Sequence, residues 1–356
     1  MMMKKVAVIG GGIVGSVCAY YLARDGYDVT LFDEGTGQAT KAAVGIICPW
    51  VSQRRNMDWF RLVDEGSIFY HQLIKDLDDS SFYEKSGALL SNDRRLDAMY
   101  DLAIKRSLNN PTMGRIEILE GEELKSMLPK GSVCERALYI EGAARVDGAL
   151  CVDVLNRKSV ELGMNLVKEH ANFSYESNQY TVNSRSFDSV VLAAGAWLAD
   201  LLPDYDVDVR PQKGQLIEFS SFLEGSSYPL YIPKGEIDLL YKNDGTLVVG
   251  ASHEDDMGFD LTPDPRVLNN LQSLGAQHLP SLKTAVYDKV RVGSRAYTSD
   301  FLPFYGEVDS LENCFVGSGL GSSGLTSGPI IGFRLAKYVM GKEKAGKTSE
   351  YVALKM

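Results

Sequence analysis

Residues 4–9 read KKVAVI, a short apolar, β-branched run of the kind that forms a strand buried on both faces. The period then changes. Ile13, Val14, Val17, Cys18, Tyr21 and Leu22 recur at helical spacing, and Gly26 stands where a helix C-terminus calls for positive φ. Residues 27–32 (YDVTLF) return to a strand pattern. Further on, Trp59, Phe60, Leu62, Val63, Ile68, Phe69, Leu73 and Ile74 predict a packing helix over 57–77. Helices are also expected at 96–108, at 121–128, from the 145–147 segment to Leu162, at 267–279 and from about Pro329 to Met340. Strands are expected at 86–90, 137–140, 165–167 and 180–182, and at 189–197, where SVVLAAGAW is a buried run ending in small residues. Between about 206 and 291 the pattern becomes mostly strand, and Asn243-Asp244-Gly245 between two apolar runs signals a hairpin.

The first change of period carries chemistry. Gly10, Gly12 and Gly15 form G-x-G-x-x-G between the strand and the helix, and Asp33 ends the next strand. Gly10 permits the tight turn, Gly12 lets a pyrophosphate approach the backbone, and Gly15 lets the helix pack on the sheet. The helix N-terminus at Ile13 and Val14 offers free N–H groups to phosphates. Asp33, followed by Glu34, can accept hydrogen bonds from ribose hydroxyls. The spacing does not distinguish NAD from FAD. Small residues return over 39–49, where Thr40 and Lys41 could donate to a pyrophosphate and Gly45 and Ile46 could lie against a planar ring. Ala194, Gly195 and Trp197 end the 189–197 run. Near the C-terminus, residues 317–326 (GSGLGSSGLT) predict a second helix N-terminus beside the same ligand, where positive charge suits the flavin N1–C2=O edge.

Composition narrows the picture. At 356 residues, two domains are the default. The net charge of −10 without a basic cluster argues against nucleic acid. Five scattered cysteines without C-x-x-C argue for reduced thiols and against a disulfide framework or Cys-rich metal site, so a cytoplasmic location and no metal are expected. The N-terminus leads straight into a strand, and no 18-residue apolar run is present, so neither a signal peptide nor a membrane span is expected.

Taken together, residues 6–49, 190–197, 211–215, 250–252, 293–306 and 317–326 resemble the D-amino-acid oxidase (DAO) family of flavoproteins, close to glycine oxidase and D-amino-acid dehydrogenase. The family reads roughly G-L-R-P-x-T-P-D-G-L-P where this chain reads GSRAYTSDFLP from Gly293. The resemblance implies an α/β fold. It would have a Rossmann-type FAD-binding domain (glutathione-reductase-like) and an inserted, largely antiparallel α+β substrate domain. The expected division is 1–85, 145–205 and 292–356 for FAD, and 86–144 and 206–291 for substrate. The implied cofactor is FAD, and the implied reaction is oxidation of a C–N bond in a small amino acid or secondary amine, with oxygen or a quinone as electron acceptor. By resemblance Phe173 falls where backbone meets adenine. Ala194, Gly195 and Trp197 would border the flavin, and Gly319, Gly321, Ser323, Gly324, Leu325 and Thr326 would meet its pyrimidine end. Arg295 matches the arginine that pairs with the substrate carboxylate, a contact that fixes orientation as well as charge. Relatives with covalent flavin carry a cysteine in the stretch where this chain has Arg295, and no cysteine lies there, so the FAD is expected to be non-covalent.

Departures from the family carry further expectations. Its substrate-binding tyrosine position falls on Asp238, with Tyr241 and Tyr231 nearby. His253, often apolar in relatives, is followed by Glu254, Asp255 and Asp256. Asp238 and His253 suggest a polar or cationic substrate. No dedicated base is required, and His253 is the candidate if one exists. Alternatives are an FAD-dependent 2-hydroxy-acid dehydrogenase, which Arg295 would also serve, a flavin-holding subunit of an electron-transfer complex, and a non-enzymatic NAD-binding regulator. A homo-oligomer is compatible with all of these.

Overall fold

Lys5–Ile9 forms an inner strand of a six-stranded sheet in the order Phe304–Glu307, Cys314–Ser318, Ser189–Leu192, Lys5–Ile9, Asp28–Phe32, Asn165–Val167. Every neighbouring pair is parallel except the first, which is antiparallel. Val6, Ala7, Val8 and Ile9 are all buried, as a strand covered on both faces requires. The computed structural model describes residues 4–52, 54–92, 94–176, 179–223, 228–348 and 353–355. Residues 1–3, 349–352 and 356, at the outer ends of the expected FAD domain, lie outside the described residues.

Helix Ile13–Arg24 covers this sheet and packs against helix Gly324–Val339, joining the two ends of the chain. The contact is close because Gly328 and Gly332 face Ile13 and Val17. Helix Met57–Leu77 runs over the expected range, with Asn56 accepting from Trp59 N at 2.8 Å as N-cap. The last helix differs from expectation: it starts at Gly324 and carries Pro329 inside it. Proline cannot donate to the carbonyl four residues earlier. That carbonyl, Leu325 O, instead accepts from the Tyr70 hydroxyl at 2.6 Å.

A second sheet of eight strands takes the order Lys289–Tyr297, Arg210–Phe219, Leu247–Gly250, Asp238–Tyr241, Leu230–Ile232, Ala88–Leu90, Arg136–Ile140, Ile116–Glu120. It is antiparallel apart from the Leu230–Ile232 and Ala88–Leu90 pair. The Asn243-Asp244-Gly245 signal closes its hairpin, with Lys242 N donating to Thr246 O at 2.8 Å. Side chains alternate between the faces. Ile217, Leu239, Tyr241 and Val249 pack with Leu268 and Leu271 of helix Pro265–His278. Leu216, Leu240 and Val248 pack with Trp50 and, at the margin, Val44, Ile46 and Cys48. This second face meets the six-stranded sheet's ligand loops.

Candidate active site

The turn after Ile9 sets the first wall. Gly10 has φ +102, and a Cβ there would lie 2.3 Å from Ala193 O. A Cβ on Gly15 would lie 1.8 Å from Gly10 O, so the helix can approach the strand only without side chains. Gly12, as N-cap, has no side chain to offer, and Thr40 caps from another loop: its Oγ1 accepts from Ile13 N at 3.0 Å. Asp33 accepts from Gly35 N and Gln38 Nε2, both at 2.6 Å, and from Gly11 N.

A crevice of about 280 Å3 opens from this turn. At one end it is lined by Gly10, Gly12, Ile13, Val14, Asp33 and Thr40. Gly45, Ile46, Ala194, Gly195 and Trp197 also line it, and Gly321, Gly324 and Leu325 border it from the far glycine turn. Two helix N-termini, from opposite ends of the chain, therefore open on one cavity. Both would present positive partial charge to a bound dianion or reduced ring.

The eight-stranded sheet supplies the other wall, with Gly214, Asp238, His253 and Arg295. Arg295 sits on strand Lys289–Tyr297 opposite Gln212 in register. Its guanidinium lies over Gly214, where a Cβ would come within 2.6 Å of Nη1. Nη1 donates to Ser252 O at 2.8 Å and to Gln212 Oε1 at 3.3 Å. Among the described residues no carboxylate pairs with Arg295, and Nε and Nη2 have no protein acceptor. Burial pulls its pKa down from the ordinary arginine value. Glu254 acts on this cation through its charge without a direct contact, and the guanidinium face left open suits an incoming carboxylate.

Asp238 faces the crevice as the first residue of its strand, opposite Gly250. It has no hydrogen-bond or ion-pair partner among the described residues. Burial pushes its carboxyl up to about 7. Its charge in turn adds to the burial that pushes the Cys48 thiol up to about 12. His253 stands at the mouth with one side open to solvent. Desolvation of its inner side, and then the Arg295 charge, pull its pKa below the ordinary value.

The remaining expected residues sit elsewhere. Tyr241 is three positions from Asp238, hence on the opposite face of the strand, and is buried beneath helix Pro265–His278 with its ring 5.5 Å from that of Tyr228. Tyr231 packs in the same cluster. Phe173 stacks on Tyr180, 6.2 Å away in a separate three-stranded sheet, and does not line the crevice. Glu34 is exposed, 3.4 Å from His170. The Lys41 and Ala43 carbonyls accept from Arg291 Nη1, at 3.3 and 2.7 Å, which fixes the small-residue loop. Gly319 is closely packed, since a Cβ there would meet Thr298 Cγ2 at 2.6 Å. Ser323 accepts from Trp59 Nε1 at 3.3 Å, and Thr326 is buried within its helix. These last three support the turn from behind the crevice wall.

Four lining residues carry no pattern that sequence reasoning would find: Gln38, Ser294, Ser318 and Glu236. Two of them matter for cofactor fit. Gln38 Oε1 and Ser294 Oγ are buried without a partner, and both residues border the cavity. Orphaned polar atoms beside a glycine-lined, two-helix crevice fit a polar, extended dinucleotide.

The fold and crevice define a flavin-type dinucleotide oxidoreductase, with a parallel nucleotide sheet and an antiparallel sheet over the reactive end. The chain belongs to the FAD-dependent oxidoreductase family (DAO), whose sequence profile matches residues 5–338. It is 36% identical to the oxidoreductase YurR of Bacillus subtilis, over 98% of both chains. It is 27% identical to glycine oxidase of Pseudomonas putida, over 92% of both. Among solved structures, iminodiacetate oxidase from Chelativorans sp. BNC1 superposes with a TM-score of 0.90 at 32% identity, covering 97% of this chain and 98% of that one. Among the described residues no helix is long and apolar enough to cross a membrane.

Proposed function

We propose that this flavoenzyme oxidises the C–N bond of a small amino acid or secondary amine, with Arg295 taking the substrate carboxylate. The observation that carries this reading is the guanidinium over Gly214, which borders the crevice without a protein carboxylate. The named substrates of two relatives, glycine and iminodiacetate, both contain a nitrogen on a CH2–COO unit, which supports it further.

Gly10, Gly12, Ile13, Val14 and Thr40 would hold the pyrophosphate of FAD, Asp33 the ribose, and Gly45, Ile46, Gly195, Gly321 and Gly324 the ring system. When bound, FAD supplies the two-electron acceptor for the substrate's α C–H. The protein's part is placement. Arg295 fixes the carboxylate, Gln212 and the Ser252 carbonyl hold Arg295, and the crevice walls orient the α carbon. Hydride loss needs a neutral amine, and His253, kept neutral by its depressed pKa, can take the ammonium proton at the mouth. Water then hydrolyses the imine to a carbonyl product and an amine. Among the described residues no cysteine lines the crevice, so we infer a non-covalent flavin, reoxidised by oxygen or a quinone.

Anaerobic mixing of the flavin-loaded protein with glycine, sarcosine, proline, D-amino acids and 2-hydroxy acids tests the reading. Amines are expected to bleach the visible absorbance of the oxidised flavin. Bleaching by hydroxy acids alone would replace it with a 2-hydroxy-acid dehydrogenase.

A further inference from the structure

At the substrate end the charges do not balance around a simple amino acid. Arg295 is the one lysine or arginine among the described lining residues, whereas Asp238 and Glu236 both border the same end. Glu236 is exposed at the rim, while Asp238 lies inside without a partner. Asp238 stands opposite Gly250 of the next strand, its charge reaches the Cys48 thiol, and Ile46, Ala251 and His253 line the same crevice.

Sheet register gives the reach. Asp238 is level with Gly250 and Leu216, while Arg295 lies over Gly214, two residues further along and two strands away. With strands about 4.8 Å apart and residues about 3.3 Å apart, the backbone positions of Asp238 and Gly214, beneath the guanidinium, are about 12 Å from each other. Subtracting a charge-assisted contact at each end leaves about 5 Å between a substrate carboxylate carbon and a group touching Asp238. Glycine separates its carboxylate carbon from its nitrogen by only about 2.5 Å, two bonds. The reacting nitrogen therefore stops short of Asp238. Chemistry agrees, since a carboxylate paired with the reacting nitrogen would hold it protonated and oppose its oxidation.

We propose that Asp238 recognises a second, cationic nitrogen on the substrate, so that the preferred substrate is an amino acid or N-alkylglycine carrying a further ammonium group about 5 Å from its carboxylate. This deepens the C–N oxidation reading above and rests on it. Of the two carboxylates at this end, Asp238 is the one inside the crevice and has no partner among the described residues, and no lysine or arginine besides Arg295 lines the crevice to take a second carboxylate.

The test is a charge series on one skeleton: N-(2-aminoethyl)glycine, N-propylglycine and iminodiacetate, with kcat/KM measured for the FAD-loaded enzyme and for Asp238→Asn. The aminoethyl compound is expected to exceed the propyl compound by about tenfold or more, a preference of the size one charge-assisted contact gives. In Asp238→Asn that ratio is expected to collapse towards one. If N-propylglycine or iminodiacetate is the better substrate of the unmodified enzyme, the proposal is overturned while amine oxidation stands. If none of the three bleaches the flavin, and glycine and sarcosine also fail, the underlying reading falls with it. An unaltered ratio in Asp238→Asn would overturn the assignment to this residue.

Discussion

Replacing Arg295 with lysine keeps a charge but loses the planar fork that two carboxylate oxygens can share. Arg295→Lys is expected to lower kcat/KM by roughly 10²–10³-fold on carboxylate-bearing amines. The flavin spectrum should persist, because in the proposed reading Arg295 takes the substrate and not the flavin. Measured kinetics beside a flavin titration separate the two effects. Asp238 gives a stability prediction with a definite sign. Its carboxyl is pushed up to about 7 by burial, against about 3.9 in an unfolded chain. Between those values the folded protein keeps a proton that the unfolded chain has released. Stability of the flavin-free protein should therefore fall, through this group, as pH rises from about 4 to about 7, and stay level above that. The contribution is about 2 kcal/mol, half the fully desolvated figure because Asp238 borders an open crevice. Asp238→Asn should flatten that slope in urea unfolding followed across the window; an equal slope would contradict it. The parity of the strand decides Tyr241. Three positions from Asp238, it points to the other face, and the period-two rule alone separates the two residues once the strand is placed.

At the scale of elements, helix Gly324–Val339 shows how a sequence signal can mislead locally. Proline normally marks a helix start, which points to Pro329 as the first residue. The helix instead begins five positions earlier, because Tyr70 satisfies the carbonyl that Pro329 cannot. Tyr70→Phe leaves that buried carbonyl bare and should cost about 1–3 kcal/mol, read as a lower denaturant midpoint with little change in slope. The extra turn matters, since it brings Gly324 and Leu325 to the crevice. By contrast, the strand–turn–helix at Lys5–Arg24 and the helix Met57–Leu77 are set by short-range rules, and the expected pattern matches the observed elements closely. The Gly15 contact with Gly10 O makes Gly15→Ala a test of that turn: the variant should fold poorly or purify without FAD.

For the whole molecule, the crevice joins segments that are distant in sequence: the first glycine turn, the 39–46 loop, the 193–197 strand end, strands of the eight-stranded sheet, and the last glycine turn. FAD bound across them links folding to cofactor. Added FAD should raise the melting temperature of stripped protein, by about 4 kcal/mol of stabilisation at a thousandfold excess over Kd. Acid precipitation should release the flavin into the supernatant, and flavin retained in the pellet would indicate a covalent link.

The sequence by itself determined the local machinery. Glycines at fixed spacing and an acid at the end of the next strand act through their immediate neighbours, so their meaning survives without coordinates, whereas Arg295 stood out in the sequence only through the family resemblance. Tertiary structure decided what depends on faces and register. It set Asp238 on the crevice side and Tyr241 in the core, left Gln38 Oε1 and Ser294 Oγ without a partner at the ligand wall, and kept Phe173 out of the crevice lining. Those outcomes follow from which strands lie side by side, and pairing between strands far apart in the chain leaves no mark in the order of residues along it.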